Sequence, residues 1–381
     1  MSMSENSNGK ERLAELREQI NDIDARLLGL FEKRMEVCTE VAKLKLANGL
    51  QIFHPEREKQ VIERVRNRVD DELKNSAEVL FTTLMDISKC DQCKLFYEGT
   101  MPFESVPLDL SVSVSAAVPG TFGSYSHAAA KKMLPNAEHE FFESFGEVFA
   151  AVESGRAEFG ILPIVNSTAG TVTQTYELLN RYDMNICATT KIAANHCIAC
   201  RSETAPADIR KVFSHEQALM QCSNYLSAKG LSARSYENTA LAAAYVKESS
   251  EPYAAICSEL CAESLGLKII DRMIANAQTN YTRFILISKD RRRAEDANII
   301  SVSLTLPHQT SALYRMLTKF SVAGLNLTKL ESRPIANTDF DVLFYLDFEG
   351  SIDSPDVVRL MRELKTELSY FKYLGNYNLI V

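Results

Sequence analysis

The sequence predicts a multidomain fold in three parts: an all-α segment, an α/β domain and a ferredoxin-like βαββαβ unit. Three observations predict it. At 381 residues the chain is too long for one ordinary core. Apolar residues between 9 and 94 recur at helical spacing with almost no strand signal. Beyond residue 110, short apolar runs alternate with helical stretches, and the last part orders them strand–helix–strand–strand–helix–strand.

Composition narrows the function classes. A hydrophobic share of 46% and a charged share of 24% are those of a globular protein. A formal net charge of -8 leaves no basic surface for nucleic acid. No apolar run approaches the roughly 20 residues of a membrane span, and the polar start has no signal-peptide core. Cys90 and Cys93, like Cys197 and Cys200, have metal-ligand spacing. Both pairs lie in helical or apolar surroundings, so they are read as reduced, buried thiols of a cytoplasmic protein, with no metal and no cofactor.

In residues 9–94, Leu13, Leu16, Ile20, Ile23, Leu27 and Leu30 form a seam that Val37, Val41 and Leu44 continue. A helix from about Lys10 to Ala47 would be about 60 Å long at roughly 1.5 Å per residue. Nothing in the segment can cover it, so a helical dimer is predicted. Arg34 interrupts the seam, either as a register-setting polar residue or as a guanidinium facing a buried anion. Lys45 points the same way, whereas Arg17 is on a face better placed to reach a partner chain. Pro55 and its flanking acids open a second helix, and a third from about Ala77 to Cys93 puts Ser88 and Gln92 on one face. Such a set suits a small dicarboxylate.

Arg17, Arg34, Lys45, Arg57, Glu58, Ser88 and Gln92 resemble, in order, the active site of the all-helical chorismate mutases. The resemblance implies an intertwined dimer that rearranges chorismate to prephenate, with Arg17 supplied by the neighbouring chain. Lys45 and Gln92 would hydrogen-bond the ether oxygen as charge develops there. The family usually has Asp where this chain has His54, a poorer helix cap, which weakens the expected activity.

Residues 95–110, with their prolines, are expected to be a linker. From 111 to 289 several strand ends lead through Ser, Thr, Asn or Gly into a helix, as in PGTFGSYS, PIVNSTAGT, FSHEQ and YENTA. Ser214 and Gln217 have capping-box spacing. Helix N-termini at the carboxyl ends of strands suit an uncharged pocket for a carboxylate. GSYSH (123–127), PIVNSTAG (163–170), NHC (195–197), FSHEQALMQC (213–222) and NYTRF (280–284) closely resemble prephenate dehydratase. That resemblance implies two α/β subdomains, 111–190 plus 276–288 and 191–275, with the site between them. It implies loss of water and carbon dioxide from prephenate, giving phenylpyruvate. Thr282 would be the proton donor and Arg283 the carboxylate partner, with Asn166, Ser214 and Gln221 positioning the ligand. Ser167, Thr168 and Phe284 complete the matched set. The family's loop reads Pro-Ile-Glu-Asn, but here Val165 stands in place of the glutamate. If that glutamate moves a proton the dehydratase should be slow or lost; if it orders the loop the cost is modest. An impaired but real dehydratase is expected.

After KDRRRAEDAN, expected to be a charged hinge, residues 298–378 carry the βαββαβ pattern. GLNLTKLESRP resembles the signature of the ACT domain attached to prephenate dehydratases, which binds phenylalanine at a dimer interface and inhibits the enzyme. Asn326, Leu327, Thr328, Glu331, Ser332, Arg333 and Pro334 match it, with Ser311, Ala312 and Leu313 on the facing loop. Ser311 replaces a glycine there, which puts effector affinity in question. The expectation is a bifunctional enzyme of phenylalanine formation, feedback-inhibited, working as a homodimer with tetramers left open. The alternative is an active mutase whose second domain only binds prephenate or decarboxylates it without dehydration.

Overall fold

The computed structural model describes residues 2–96, 104–111, 113–277, 280–335 and 342–380. Helix α1 (Ser2–Ala47) starts well before Lys10, because no proline precedes it to stop the helix. Arg34, Cys38, Ala42 and Lys45, three or four residues apart, form the half-buried face of its C-terminal part. The seam faces elsewhere: Ile20, Leu27 and Leu30 are 56%, 55% and 64% exposed, so one chain alone leaves it uncovered. Helix α2 (Pro55–Arg66) has proline and Glu56 and Glu58 in its first turn, and His54 makes no side-chain capping bond. Helix α3 (Lys74–Phe96) packs against α1 and α2, and it buries Asp86, Ser88, Lys89, Gln92 and Cys93. No helix among the described residues is long and apolar enough to cross a membrane.

The middle region holds two sheets. The first runs, edge to edge, Leu379–Ile380, Asn185–Ala193, Tyr281–Ser288, Phe159–Asn166, Ser115–Pro119 and Glu138–Phe142, with Gly170–Thr171 folded back on Phe159–Asn166. Helix α4 (Tyr125–Met133) covers one face around Phe159 and Phe284. Helices α5 (Phe145–Glu153) and α6 (Thr173–Arg181) cover the other around Phe149 and Leu179. Burial on both faces explains the unbroken apolar runs ILPI and FILI. The second sheet runs Lys268–Asp271, His196–Cys200, Tyr253–Ser258, Lys211–Ser214 and Ser232–Ser235. Around it lie α7 (Glu216–Gln221), α8 (Ser223–Ala228), α9 (Thr239–Glu248) and α10 (Glu259–Ser264). The chain crosses between the sheets at Ala194–Asn195 and again before Asn280, and a cleft lies at those crossings.

Several helix starts are capped as expected, by Ser124, Asn238 and Ser258. Two are not. The α7 cap is His215, whose Nδ1 accepts from the Gln217 N–H at 3.3 Å, so the Ser214–Gln217 box does not form. Strand alternation turns Ser214 inward instead. The α6 cap, Val172, offers no side-chain acceptor.

The C-terminal unit follows the order Ile299–Thr305, α11 (Ala312–Val322), Leu327–Pro334, Val342–Glu349, α12 (Pro355–Glu367) and Phe371–Tyr377. Its antiparallel sheet has Leu327–Pro334 at one edge and Phe371–Tyr377 at the other, a ferredoxin-like βαββαβ arrangement. Helices α11 and α12 cover one face around Phe320 and Met361 and press against α3. The opposite face packs on the first sheet through Leu343, Tyr345, Leu374 and Tyr377. Gly375 permits this approach, since a Cβ there would fall 2.1 Å from the Ile186 carbonyl oxygen. The chain end then returns to the first sheet, where Leu379–Ile380 pairs with Thr189 and Thr190.

The expected linker and hinge are more ordered than their composition implied. Val106–Pro107 pairs in parallel with Arg292–Arg293, while residues 97–103 of the expected linker lie outside the described residues. Arg292 meets Glu158 at 2.7 Å, and Arg293 takes both oxygens of Asp353 at 2.8 and 2.9 Å. Charges of the KDRRRAEDAN stretch are thus committed to partners distant in sequence.

Candidate active sites

The first site lies among α1, α2 and α3. Arg34 Nη1 donates to the Leu84 carbonyl at 2.9 Å and to Ser88 Oγ, which itself donates to the same carbonyl at 2.6 Å. The guanidinium therefore rests on neutral acceptors, which leaves its charge available to an anion. Lys45 Nζ, half-buried, donates to the Ile52 carbonyl at 2.7 Å. Burial pulls its ammonium below the ordinary lysine value, against the opposing fields of Cys38 and Glu58. Gln92 is buried with no hydrogen-bond partner on Oε1 among the described residues. Glu58 is ion-paired to Lys89 at 3.0 Å. Arg57 is exposed and, among the described residues, makes a 3.5 Å contact to Gln60. Arg17, also exposed, sits about 26 Å along α1 from Arg34 at roughly 1.5 Å per residue, out of reach within one chain.

The second site is the cleft between the two sheets. Two adjoining cavities, about 430 and 620 Å³, share Ala169, His215, Gln217, Gln221 and Asn280. The smaller holds the chemistry. There Asn166 Nδ2 donates to Thr282 Oγ1 and to Asn280 Oδ1, both at 2.9 Å. Asn166 Oδ1 accepts the N–H groups of Thr168 and Ala169 at 2.9 and 2.8 Å, which fixes the loop as an Asx turn. Because Thr282 Oγ1 accepts from Asn166, its own hydrogen is left to donate elsewhere. Gln221 Oε1 lies 3.1 Å from Asn280 Nδ2 and 2.8 Å from His196 Nε2, and His196 Nδ1 lies 2.9 Å from the Tyr125 hydroxyl. Burial lowers the His196 pKa, with the Gln221 bond opposing, so the ring is neutral in the ordinary working range. Among the described residues the lining contains no arginine or lysine. Ser167 clasps the strand instead: its Oγ accepts from the Tyr281 N–H at 2.9 Å.

Three residues expected in this pocket are elsewhere. Ser214 is fully buried and donates to the Ile256 carbonyl at 2.6 Å, so its hydroxyl is used inside the second sheet. Arg283 alternates away from Thr282; it pairs in register with Val165, and its charge is felt by Tyr176, Asp347 and Tyr377. Phe284 is core, packed against α4. A register shift opposite Arg283–Phe284 inserts one extra residue into Phe159–Asn166. The bulge leaves Val165 on the Arg283 face, against the cluster containing Tyr176 and Tyr345, and turns Asn166 towards Thr282.

In the C-terminal unit Ser311 adopts a left-handed conformation, φ 64°, where a glycine would be at ease. Ala312 and Leu313 begin α11. Asn326 and Leu327 lie past the other end of α11, about 16 Å away along its axis. Asn326 Nδ2 donates to Glu349 at 3.2 Å, and Thr328 Oγ1 to the Asp347 carbonyl at 3.2 Å. Glu331 accepts from Thr171 Oγ1 at 2.8 Å and pairs with Lys329 at 3.0 Å and with Arg333. Burial alone would raise its pKa, but the bonds from Thr171 and Lys329 hold it below the usual carboxylate range. Ser332 and Pro334 alternate outward to solvent. Glu331 thus ties this unit to the hairpin that carries Asn166.

Sequence reasoning assigned no role to Tyr125, His196 or Asn280, although NHC and NYTRF contain two of them. For His196 and Asn280 the available signal was their position beside the two chain crossings, which becomes visible only once the strands are placed in separate sheets; Tyr125, at the start of α4, carried no such signal. Among the described residues no three His, Cys, Asp or Glu side chains converge as a metal site would require.

The type II chorismate mutase family model matches residues 16–92, and the prephenate dehydratase model matches residues 116–292. The bifunctional chorismate mutase/prephenate dehydratase of Escherichia coli (strain K12) is 29% identical over 375 residues, covering 96% of each chain. An arogenate dehydratase/prephenate dehydratase of Arabidopsis thaliana is 34% identical over 303 residues, covering 74% of this chain and 80% of its own. The solved prephenate dehydratase of Arthrobacter aurescens, in complex with L-Phe, aligns with a TM-score of 0.65 at 25% identity over 70% of this chain and 90% of its own. The chain belongs to the prephenate dehydratase family, with a type II chorismate mutase region ahead of the dehydratase in the same polypeptide.

Proposed function

We propose that the chain is a bifunctional enzyme of phenylalanine formation, turning chorismate into prephenate and prephenate into phenylpyruvate. The observation that carries the reading is the pairing of two unlike sites. One is a helical pocket whose cations rest on neutral acceptors; the other is a neutral cleft built on Asn166, Thr282, Gln221 and Asn280.

The mutase step is a pericyclic rearrangement that needs no nucleophile. Arg34 and Arg57, with Arg17 of a second copy, hold the two carboxylates so that the reacting ends meet, and Lys45 and Gln92 donate to the ether oxygen as it gains charge. The exposed seam of α1 and the reach from Arg17 to Arg34 both support a dimer.

In the dehydratase step the carboxylate of prephenate leaves as carbon dioxide, and the released electron pair enters the ring. The ring hydroxyl departs, takes a proton that comes from solvent and becomes water, and aromatisation drives the step. Thr282, oriented by Asn166, donates its hydrogen bond to that departing oxygen. A threonine is too weak an acid to protonate an alcohol outright, so its contribution is a bond that strengthens as the oxygen gains charge. With no arginine or lysine among the described lining residues, the substrate is held by neutral donors, the Gln221 side-chain amide N–H among them.

The C-terminal unit acts as an ACT module that takes phenylalanine. Ser311 and Asn326 lie at opposite ends of α11, so a ligand touching both joins two copies of the chain. All nine cysteines are free thiols, which suits the cytoplasm. The test is to supply chorismate alone to the purified chain and follow prephenate and phenylpyruvate separately. Both should form in sequence. Prephenate that accumulates unconsumed would leave the cleft as a binding site only.

A further inference from the structure

We infer that Arg315, on the C-terminal unit, is a positioning residue for the mutase site, holding Glu58 away from the cations that must receive the substrate. The inference rests on the mutase reading above and adds a residue 257 positions distant from Glu58.

Helix α11 lies against α3, and Arg315 projects from its first turn into the helical region. Its Nε and Nη2 take the two oxygens of Asp86 at 3.0 and 2.8 Å, a bidentate pair, and Nη2 also reaches Glu58 Oε2 at 3.2 Å. Asp86 is 1% exposed, so it needs this partner. Lys89, itself buried, bridges the same two acids, 2.8 Å from Asp86 and 3.0 Å from Glu58, and lies over the Phe53 ring. Four charges thus form one closed cluster, two of each sign, and Glu58 is the member whose field Lys45 also feels.

Glu58 has two sets of cations within its field, this cluster and the site residue Lys45. Arg315 and Lys89 bind one carboxylate oxygen each, which commits Glu58 to the cluster side. Without Arg315, the buried Asp86 draws Lys89 to itself and Glu58 loses both ties. The freed carboxylate then pairs with Lys45 and competes with the substrate's own carboxylates. Tyr314 supports the docking through a 3.0 Å contact between its hydroxyl and Thr83 Oγ1.

The experiment uses the full chain. Mutase and dehydratase kinetics are measured for wild type, Arg315→Ala, Arg315→Lys, Glu58→Gln and the Glu58→Gln, Arg315→Ala double variant. Arg315→Ala should lower mutase kcat/KM at least fivefold, mainly by raising KM, while dehydratase constants on prephenate stay within twofold. Arg315→Lys should recover at least half of the loss. In the Glu58→Gln background the alanine substitution should change mutase kcat/KM less than twofold, because its target is gone. Mutase kinetics of Arg315→Ala within twofold of wild type overturn the inference alone. So does an equal loss in both Glu58 backgrounds, which marks a merely structural role. A wild-type chain with no mutase turnover overturns the functional reading, and this inference with it.

Discussion

Restoring a glutamate at Val165 separates two accounts of the dehydratase loop. Val165 is paired across strands with Arg283 on one side and Thr171 on the other, and it leans on the apolar cluster around Tyr176 and Tyr345. A carboxylate there would meet the Arg283 guanidinium, a cross-strand pair stabilising by about 0.2–1 kcal/mol. It would also face Glu331, which Thr171 holds, so the gain belongs at the low end of that range. Loss of a half-buried valine side chain costs about 1 kcal/mol, so the protein should be no more stable. If the carboxylate only orders the loop, the dehydratase gains at most about 1 kcal/mol of transition-state stabilisation, roughly fivefold. If instead it reached the substrate as an acid or base, a gain of about 10²–10⁴ would follow. Val165→Glu should therefore raise dehydratase kcat/KM between one- and fivefold, read from phenylpyruvate formed on prephenate, with mutase rate unchanged. A hundredfold gain would refute the register argument, since the side chain would then have to enter the cleft. A lower rate in a folded variant would refute the loop-ordering role.

Three further outcomes follow from the geometry. Lys319 is buried in ion pairs with Glu363 and Glu367, so Lys319→Met should cost about 3–5 kcal/mol in urea unfolding by stranding Glu363; a loss under about 1 kcal/mol would show that the acid escapes to water. His127 accepts the Gly123 N–H at 3.0 Å, and burial, helped by His139 and Lys131, pushes its pKa down to about 4 from 6.5. Its stabilisation is complete above 6.5 and drains as pH falls towards 4, so wild type should lose more melting temperature than His127→Gln on acidification; equal losses would contradict this. Ser311→Gly opens the backbone at the start of α11 to closer approach by a ligand and should tighten phenylalanine binding up to about fivefold, about 1 kcal/mol, by calorimetry; weaker binding would count against the loop's role.

Much of the first site was legible because helical spacing is arithmetic. Arg34 and Lys45 share a face of α1, and Ser88 and Gln92 share one of α3, as their separations dictate. Strand positions were legible only up to the first irregularity. The bulge before Asn166 changes which neighbours share a face, and nothing in PIVN announces it. Ser214 was misplaced for a similar reason: a serine beside a helix start resembles a cap, but alternation sends it inward. Long-range partners were not legible at all. Arg315 looks like one more charge on an amphipathic helix until the packing of α11 on α3 brings it to Asp86.

The central claim is that one chain carries two independent active sites acting in series. Its most direct test is product analysis from chorismate for wild type, Arg34→Ala and Thr282→Val. Wild type should yield phenylpyruvate; Thr282→Val should stop at prephenate; Arg34→Ala should leave chorismate untouched yet still convert added prephenate. Phenylpyruvate formed at wild-type rate by Thr282→Val, or loss of both activities in each folded variant, would contradict it.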